Sequence, residues 1–169
     1  PKTLAEKIDR FTFELTAVSG ECEQAALLEQ AADKIAAIVR DAAAGSVAVA
    51  GGALVDRGAE ALRRRGIEVI FLRIASLVKD CRDVSPIHKR LKLFAPAGSK
   101  EAEILAQIAP RENELVITKG CSGAFNGSNL DQILANMGIK NLIFSGVVTN
   151  YCVETSVRDA GDRDYNVIL

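Results

Sequence analysis

Apolar positions along this chain recur in two alternating rhythms: helical spacing over ten or more residues, and short unbroken runs rich in β-branched side chains. The first rhythm predicts helices over Lys2–Val18, ending at Gly20, and over the alanine-rich Ala26–Ala44, where Leu27, Leu28, Ile35, Ile38 and Val39 share a face before Gly45. A third helix is expected over Ala53–Arg65, stopped by Gly66. Further helices are expected over Ser99–Ile108 with Ser99 as N-cap, Asn129–Met137 stopped by Gly138, and Thr155–Ala160. The second rhythm predicts strands at Ser46–Ala50, Ile67–Arg73, Glu114–Thr118, Asn141–Ser145 and Tyr165–Leu169, with a poorer one at Glu21–Ala25. Ile74–Gly98 holds Pro86 and Pro96 and little periodicity, so it reads as an irregular excursion over a sheet edge or site mouth.

Strands that alternate with helices imply a mostly parallel sheet covered on both faces. With right-handed crossovers, the expected fold is an α/β, Rossmann-like three-layer α/β/α sandwich with a sheet of about five or six strands, formed as a single domain. The Gly51-Gly52 turn before a helix is a weak phosphate-loop signal, because the third spaced glycine of a dinucleotide fingerprint is missing.

Composition narrows the function classes. Of 169 residues, 49% are apolar and 25% charged, with a net charge of −1, which gives no reason to expect nucleic acid or an anionic membrane as partner. Tryptophan is absent and aromatics are few, which argues against a base-stacking platform. No apolar run is long enough to span a bilayer and no signal-peptide pattern is visible. Cys22, Cys81, Cys121 and Cys152 lack CxxC spacing, so free thiols in a reducing, cytoplasmic compartment are expected. His88, the single histidine, sits in the Pro86-containing stretch and is expected to be solvated. Neither a metal nor another cofactor is expected.

Two segments carry candidate chemistry. The apolar run Asn141–Val148 breaks at a polar turn, one cysteine follows, and a helix begins: Gly146-Val147-Val148-Thr149-Asn150-Tyr151-Cys152-Val153-Glu154. A cysteine at a strand-to-helix junction lies where parallel sheets bind ligands, and a helix N-terminus favours thiolate. A buried structural cysteine is the competing reading. Lys119 closes a strand in Thr118-Lys119-Gly120-Cys121-Ser122-Gly123-Ala124-Phe125, where an ammonium beside a thiol would activate it and orient a carbonyl. A lysine that only snorkels from the sheet edge is the competing reading.

Taken together, these segments resemble the isochorismatase-like cysteine hydrolases from about Ile67 onward. The carrying residues are Lys119 with Ser122-Gly123-Ala124-Phe125, Asn129-Leu130-Asp131 through Leu134, Gly138-Ile139, Gly146 through Thr155, and Arg158-Asp159-Ala160. The family places glycine just before the tyrosine of Asp162-Arg163-Asp164-Tyr165, where this chain has Asp164. The resemblance implies a hydrolase of small amides or related C–N substrates. Cys152 would form a thioester, with Lys119 holding it as thiolate. The backbone N–H groups of Val148 and Cys152 would form the oxyanion hole, the first aimed by a cis Val147–Val148 peptide. Phe125, Tyr151, Thr149 and Asn150 would line the substrate pocket, although plain core packing is an equal reading for the two aromatics.

The family's general base, an aspartate at the end of the first strand, has no counterpart, since Gly51-Gly52 follows Ser46–Ala50. Asp56 and Asp41 are the candidates to replace it, Asp9 a weaker one, and solvated helix-face carboxylates are the plainer reading of all three. Some nicotinamidases of the superfamily bind zinc through an aspartate and two histidines, which a single histidine does not supply.

Residues 1–66 resemble instead the opening of a lactate-utilisation (LUD-type) domain, through Phe11-Thr12-Phe13-Glu14-Leu15, the alanine-rich helix, Ser46–Ala50 and Leu62 through Val69. The chain also stops before the last helix and strand expected of such a hydrolase. Those features raise the expectation of a truncated, chimeric or designed chain, with an exposed strand edge that invites a homodimer. The alternative to an active hydrolase is a non-catalytic scaffold retaining the Lys–Cys pair.

Overall fold

The computed structural model describes residues 3–7, 9, 30, 33, 34, 37, 45–50 and 55–168, with backbone alone for 45–50, 55–58 and 107. Residues 4–7, 9, 30, 33, 34 and 37 are helical. The rest of the two N-terminal helices, the Glu21–Ala25 strand, Cys22, Asp41 and the Gly51-Gly52 turn lie outside the described residues.

Five strands and four α-helices follow: β1 Gly45–Ala50, α1 Val55–Arg63, β2 Glu68–Ile74, α2 Pro86–Leu91, β3 Val116–Lys119, α3 Leu130–Asn136, β4 Ile139–Ser145, α4 Glu154–Gly161 and β5 Asn166–Ile168. The strands lie in the order β3-β2-β1-β4-β5 and every adjacent pair is parallel. The fold is α/β, as the alternating rhythms predict.

Strand alternation divides the apolar side chains between two cores. Ile70, Ile117, Leu142 and Phe144 point to one face and pack with Leu130 and Leu134 of α3 and Ala160 of α4. Val69, Phe71 and Ile143 point to the other and meet Ala59 and Leu62 of α1 and Ile108. Arg63 of α1 forks onto Glu114 ahead of β3, with Nε and Nη2 each 2.6 Å from a carboxylate oxygen. Tyr165 donates to Asp131 at 3.0 Å, tying the chain before β5 to α3.

The irregular middle departs from expectation in two places. Within Ile74–Gly98 stands α2, started by Ser85, whose hydroxyl accepts from the His88 N–H, with Pro86 in the first turn. Its C-terminus closes at Lys92 in a left-handed conformation, φ 56°. Serine then proline is a helix-start signal, but six residues are too few to show periodicity. His88 is therefore not solvated: it lies in α2 and is fully buried. The helix expected over Ser99–Ile108 is instead two 3₁₀ turns, Lys100–Ala102 and Ala106–Ile108, separated by Glu103 in extended conformation. The Arg73 guanidinium takes the Ala102 carbonyl at 3.1 Å, an acceptor that a continuing helix would need.

Candidate active site

A parallel sheet brings all its carboxyl ends to one edge, and the register fixes which residues meet there. Ala50 at the end of β1 is opposite Ser145 at the end of β4. Ile74 at the end of β2 is opposite Lys119 at the end of β3. The two segments singled out for their chemistry, far apart in sequence, thus leave the sheet on the same side.

Past β4 the chain turns sharply at Gly146, whose φ of 145° an L-residue rarely adopts. The Val147–Val148 peptide bond that follows is cis. Thr149–Val153 then forms one wide π-type turn that runs into α4, with Asn150 departing from helical geometry. The Val148 carbonyl accepts from the N–H groups of Tyr151 at 3.1 Å and Val153 at 3.3 Å, which pins this turn. Cys152 is half-buried on it and is a free thiol, as are Cys81 and Cys121. Thr149 and Asn150 are exposed, whereas Tyr151 is half-buried and stacks on His88 with ring centroids 6.5 Å apart.

Lys119 does not snorkel from the edge; its residue is only 4% exposed. Its Nζ donates to the carbonyls of Cys121 at 2.9 Å and Ser122 at 2.7 Å, both in the loop just beyond β3. Burial pushes the ammonium below the usual lysine range, while the charges of Cys152 and Cys121 and a hydrogen bond to Cys152 work against that shift. Lys119 thus lies close enough to Cys152 for the charge of one to act on the other. Burial raises the Cys121 thiol above its ordinary range, partly countered by Lys119.

Phe125 belongs to the core rather than to an open surface, since it is buried, stacks on Tyr165 at 5.9 Å and carries the Arg163 guanidinium 4.9 Å above its ring. Asp56 lies in the first turn of α1, just past the carboxyl end of β1, and its side chain is outside the described residues. Among the described residues no carboxylate is hydrogen-bonded to the Cys152 sulfur, and no cluster of three or more His, Cys, Asp or Glu is placed to hold a metal. Nor is any helix among them long and apolar enough to cross a membrane.

Two residues that hydrogen-bond to these segments escaped the sequence reading. Ser156 is buried, donates its hydroxyl to the Cys152 carbonyl at 2.7 Å and accepts from the Ala124 N–H at 3.0 Å. It thereby ties the cysteine turn to the loop that follows Lys119. The available signal was a serine four residues after the cysteine on a helix, the spacing for bonding back to that carbonyl. His88 is the second: its Nε2 lies 2.8 Å from Ser122 Oγ.

The isochorismatase domain family matches residues 53–169, so the family match begins ahead of α1 and takes in every described element after β1. The ureidoacrylate amidohydrolase RutB of Variovorax paradoxus is 34% identical over 76 residues, 45% of this chain and 30% of that protein. The secreted isochorismatase effector Isc1 of Verticillium dahliae is 38% identical over 72 residues, 43% of this chain and 38% of that protein. The matched stretch thus spans about a third of the length of these curated relatives. In fold, the chain is similar to the crystal structure of an isochorismatase family protein from Desulfovibrio vulgaris, with a TM-score of 0.65 at 21% identity, over 73% of this chain and 78% of that one.

Proposed function

This chain belongs to the isochorismatase family, and from that premise we propose that it is a cysteine hydrolase cleaving a small amide or related C–N substrate on a three-layer α/β/α sandwich. One observation carries the reading: a buried Lys119, held by two carbonyls, presents its charge to Cys152 at the carboxyl edge of the sheet. A lysine held only for structure would not be taken out of water beside two thiols. The name of the Variovorax paradoxus relative, an amidohydrolase, supports the same bond class.

In this reading the Cys152 sulfur attacks the substrate carbonyl carbon and a tetrahedral oxyanion forms, met by the backbone N–H groups of Val148 and Cys152. The C–N bond then breaks, the nitrogen leaves with a proton, and a thioester remains. Water adds to the thioester, the acid departs, and the thiol is restored. Lys119 orients the carbonyl and balances the charge on sulfur. Asp56, in the first turn of α1, takes the base role that the family gives to an aspartate ending the first strand. Tyr151, Thr149 and Asn150, on the same turn as Cys152, line the pocket for a small substrate in this reading.

The test is steady-state release of ammonia or amine from a panel of carbamoyl, ureido and simple amides, compared with Cys152→Ala. Multiple turnovers lost in the variant support the reading. Wild-type protein that turns over no panel member and labels with iodoacetamide no faster at Cys152 than a free thiol overturns it, and leaves the scaffold alternative.

A further inference from the structure

His88 is an unusual residue to find where it is. Fully buried, it bonds to Ser122 Oγ through Nε2 at 2.8 Å, while its buried Nδ1 has no hydrogen-bond partner among the described residues. Leaving a polar atom orphaned in a core is costly, and an apolar side chain in α2 would avoid that cost. The hydrogen bond to Ser122 is thus the one polar contact that sets this ring apart from a hydrophobic filler.

Ser122 links it to the reactive pair. An ammonium has three N–H donors. For Lys119, one goes to the Cys121 carbonyl and one to the Ser122 carbonyl, which leaves a third; Cys152 is near enough for its charge to act on the ammonium. Where that third donor points depends on where the two carbonyls sit. The Cys121 and Ser122 carbonyls lie in a loop free of regular structure, so something other than a helix or strand ladder must hold them. His88 grips that loop by the Ser122 side chain, and the Ser85 N–H donates to the Gly120 carbonyl at 2.9 Å from the same helix start. Both anchors come from α2, the element hidden in the irregular segment.

Charge favours this arrangement. The groups facing Lys119 are Cys121 and Cys152, with His88 near enough for the ammonium's charge to act on it. Burial first, and Lys119 second, push the imidazole below the ordinary histidine range. Near neutral pH it is uncharged, so it anchors the loop without placing a second cation beside the lysine.

We propose that His88 is a positioning residue for the Lys119–Cys152 pair, acting through Ser122 to aim the lysine's free donor at the sulfur. The proposal rests on Cys152 being the nucleophile, but its test does not need a substrate. Iodoacetamide alkylation of Cys152 is followed by mass spectrometry of the peptide that carries it, at one fixed pH, in folded protein. Ser122→Ala removes the hydroxyl and His88→Phe keeps the ring shape without the nitrogen; each is expected to slow Cys152 alkylation by about tenfold. Glutamine places an amide near the imidazole Nε2, so His88→Gln is expected to stay within about twofold of the wild-type rate. Combining Ser122→Ala with His88→Phe should slow it no further than either alone. The proposal is overturned if Ser122→Ala alkylates at the wild-type rate, or if His88→Gln is as slow as His88→Phe. Should His88→Phe fail to fold, Ser122→Ala decides, since it cuts the same bond from an intermediate rather than buried position. A wild-type protein without turnover would count against the hydrolase reading and leave this result standing.

Discussion

Ser156 and Cys152 are joined by a hydrogen bond of 2.7 Å from the serine hydroxyl to the cysteine carbonyl, and the same hydroxyl accepts from the Ala124 N–H at 3.0 Å. One buried oxygen thus couples the turn bearing the sulfur to the loop that follows the lysine. Ser156→Ala would leave the buried Ala124 N–H unpaired. The expected loss is about 1–3 kcal/mol in stability, read by urea denaturation, with Cys152 alkylation slowed in the folded protein. An unchanged midpoint would mean that the bridge contributes nothing.

If hydrolysis runs through Cys152, Cys152→Ala abolishes turnover. Lys119→Ala should lower kcat/KM by about two to three orders of magnitude, the scale of losing one oriented charge or donor. Lys119→Ala also empties a buried position, so circular dichroism must first show a native fold. Equal turnover in Lys119→Ala and wild type would remove the lysine from the mechanism.

Asp56→Asn separates the base from the nucleophile. A general base contributes about 10²–10⁴ in rate. The variant should therefore lose at least about a hundredfold in kcat, while Cys152→Ala loses all activity. A full-rate Asp56→Asn enzyme would send the search for the base to residues outside those described, Asp41 among them.

Acid stability should depend on Glu114. Burial pushes its carboxyl up, but the Arg63 hydrogen bonds, the Arg111 N–H and both guanidinium charges outweigh it and hold the carboxyl below its ordinary value of 4.5. The folded form thus favours the carboxylate. Its contribution is complete above pH 4.5 and lost as pH falls through the depressed value. Glu114→Gln should cost about 2–3 kcal/mol at neutral pH, because the Arg63 and Glu114 side chains are only 13% and 12% exposed. It should also flatten the stability-versus-pH curve below that point. A parallel curve, merely displaced, would contradict the assignment.

At Asp164 the backbone has φ 61°, a left-handed conformation that favours glycine. L-residues bear a penalty there that glycine escapes. Asp164→Gly is expected to stabilise the fold by about 0.5–1 kcal/mol, measured as a higher denaturation midpoint. A lower midpoint would mean that the aspartate side chain offsets its own strain.

Much of this molecule can be read from the order of its residues, and the limits of that reading have physical causes. The runs at Ile67–Arg73 and Asn141–Ser145 are legible as strands because burial on both faces demands unbroken apolar sequence, and the structure places β2 and β4 within a residue or two of them. Lys119 and Cys152 are legible because the first ends β3 and the second lies on the turn between β4 and α4, where a parallel sheet collects its chemistry. The two 3₁₀ turns and α2 are not, since short elements are decided by contacts such as that of Arg73 with the Ala102 carbonyl rather than by periodicity.

By itself, then, the sequence determined the alternation of elements, the α/β class, the strand end that carries a lysine and the strand-to-helix turn that carries a cysteine, because hydrophobic rhythm and residue chemistry are local properties. Only the tertiary structure decided that His88 is buried and bonded to Ser122, that Phe125 belongs to the core, and that Ser156 bridges Cys152 to Ala124. Each of these depends on chain segments some thirty residues apart meeting in one place. A hydrogen bond of under 3 Å between such partners leaves no trace in the spacing of either one alone.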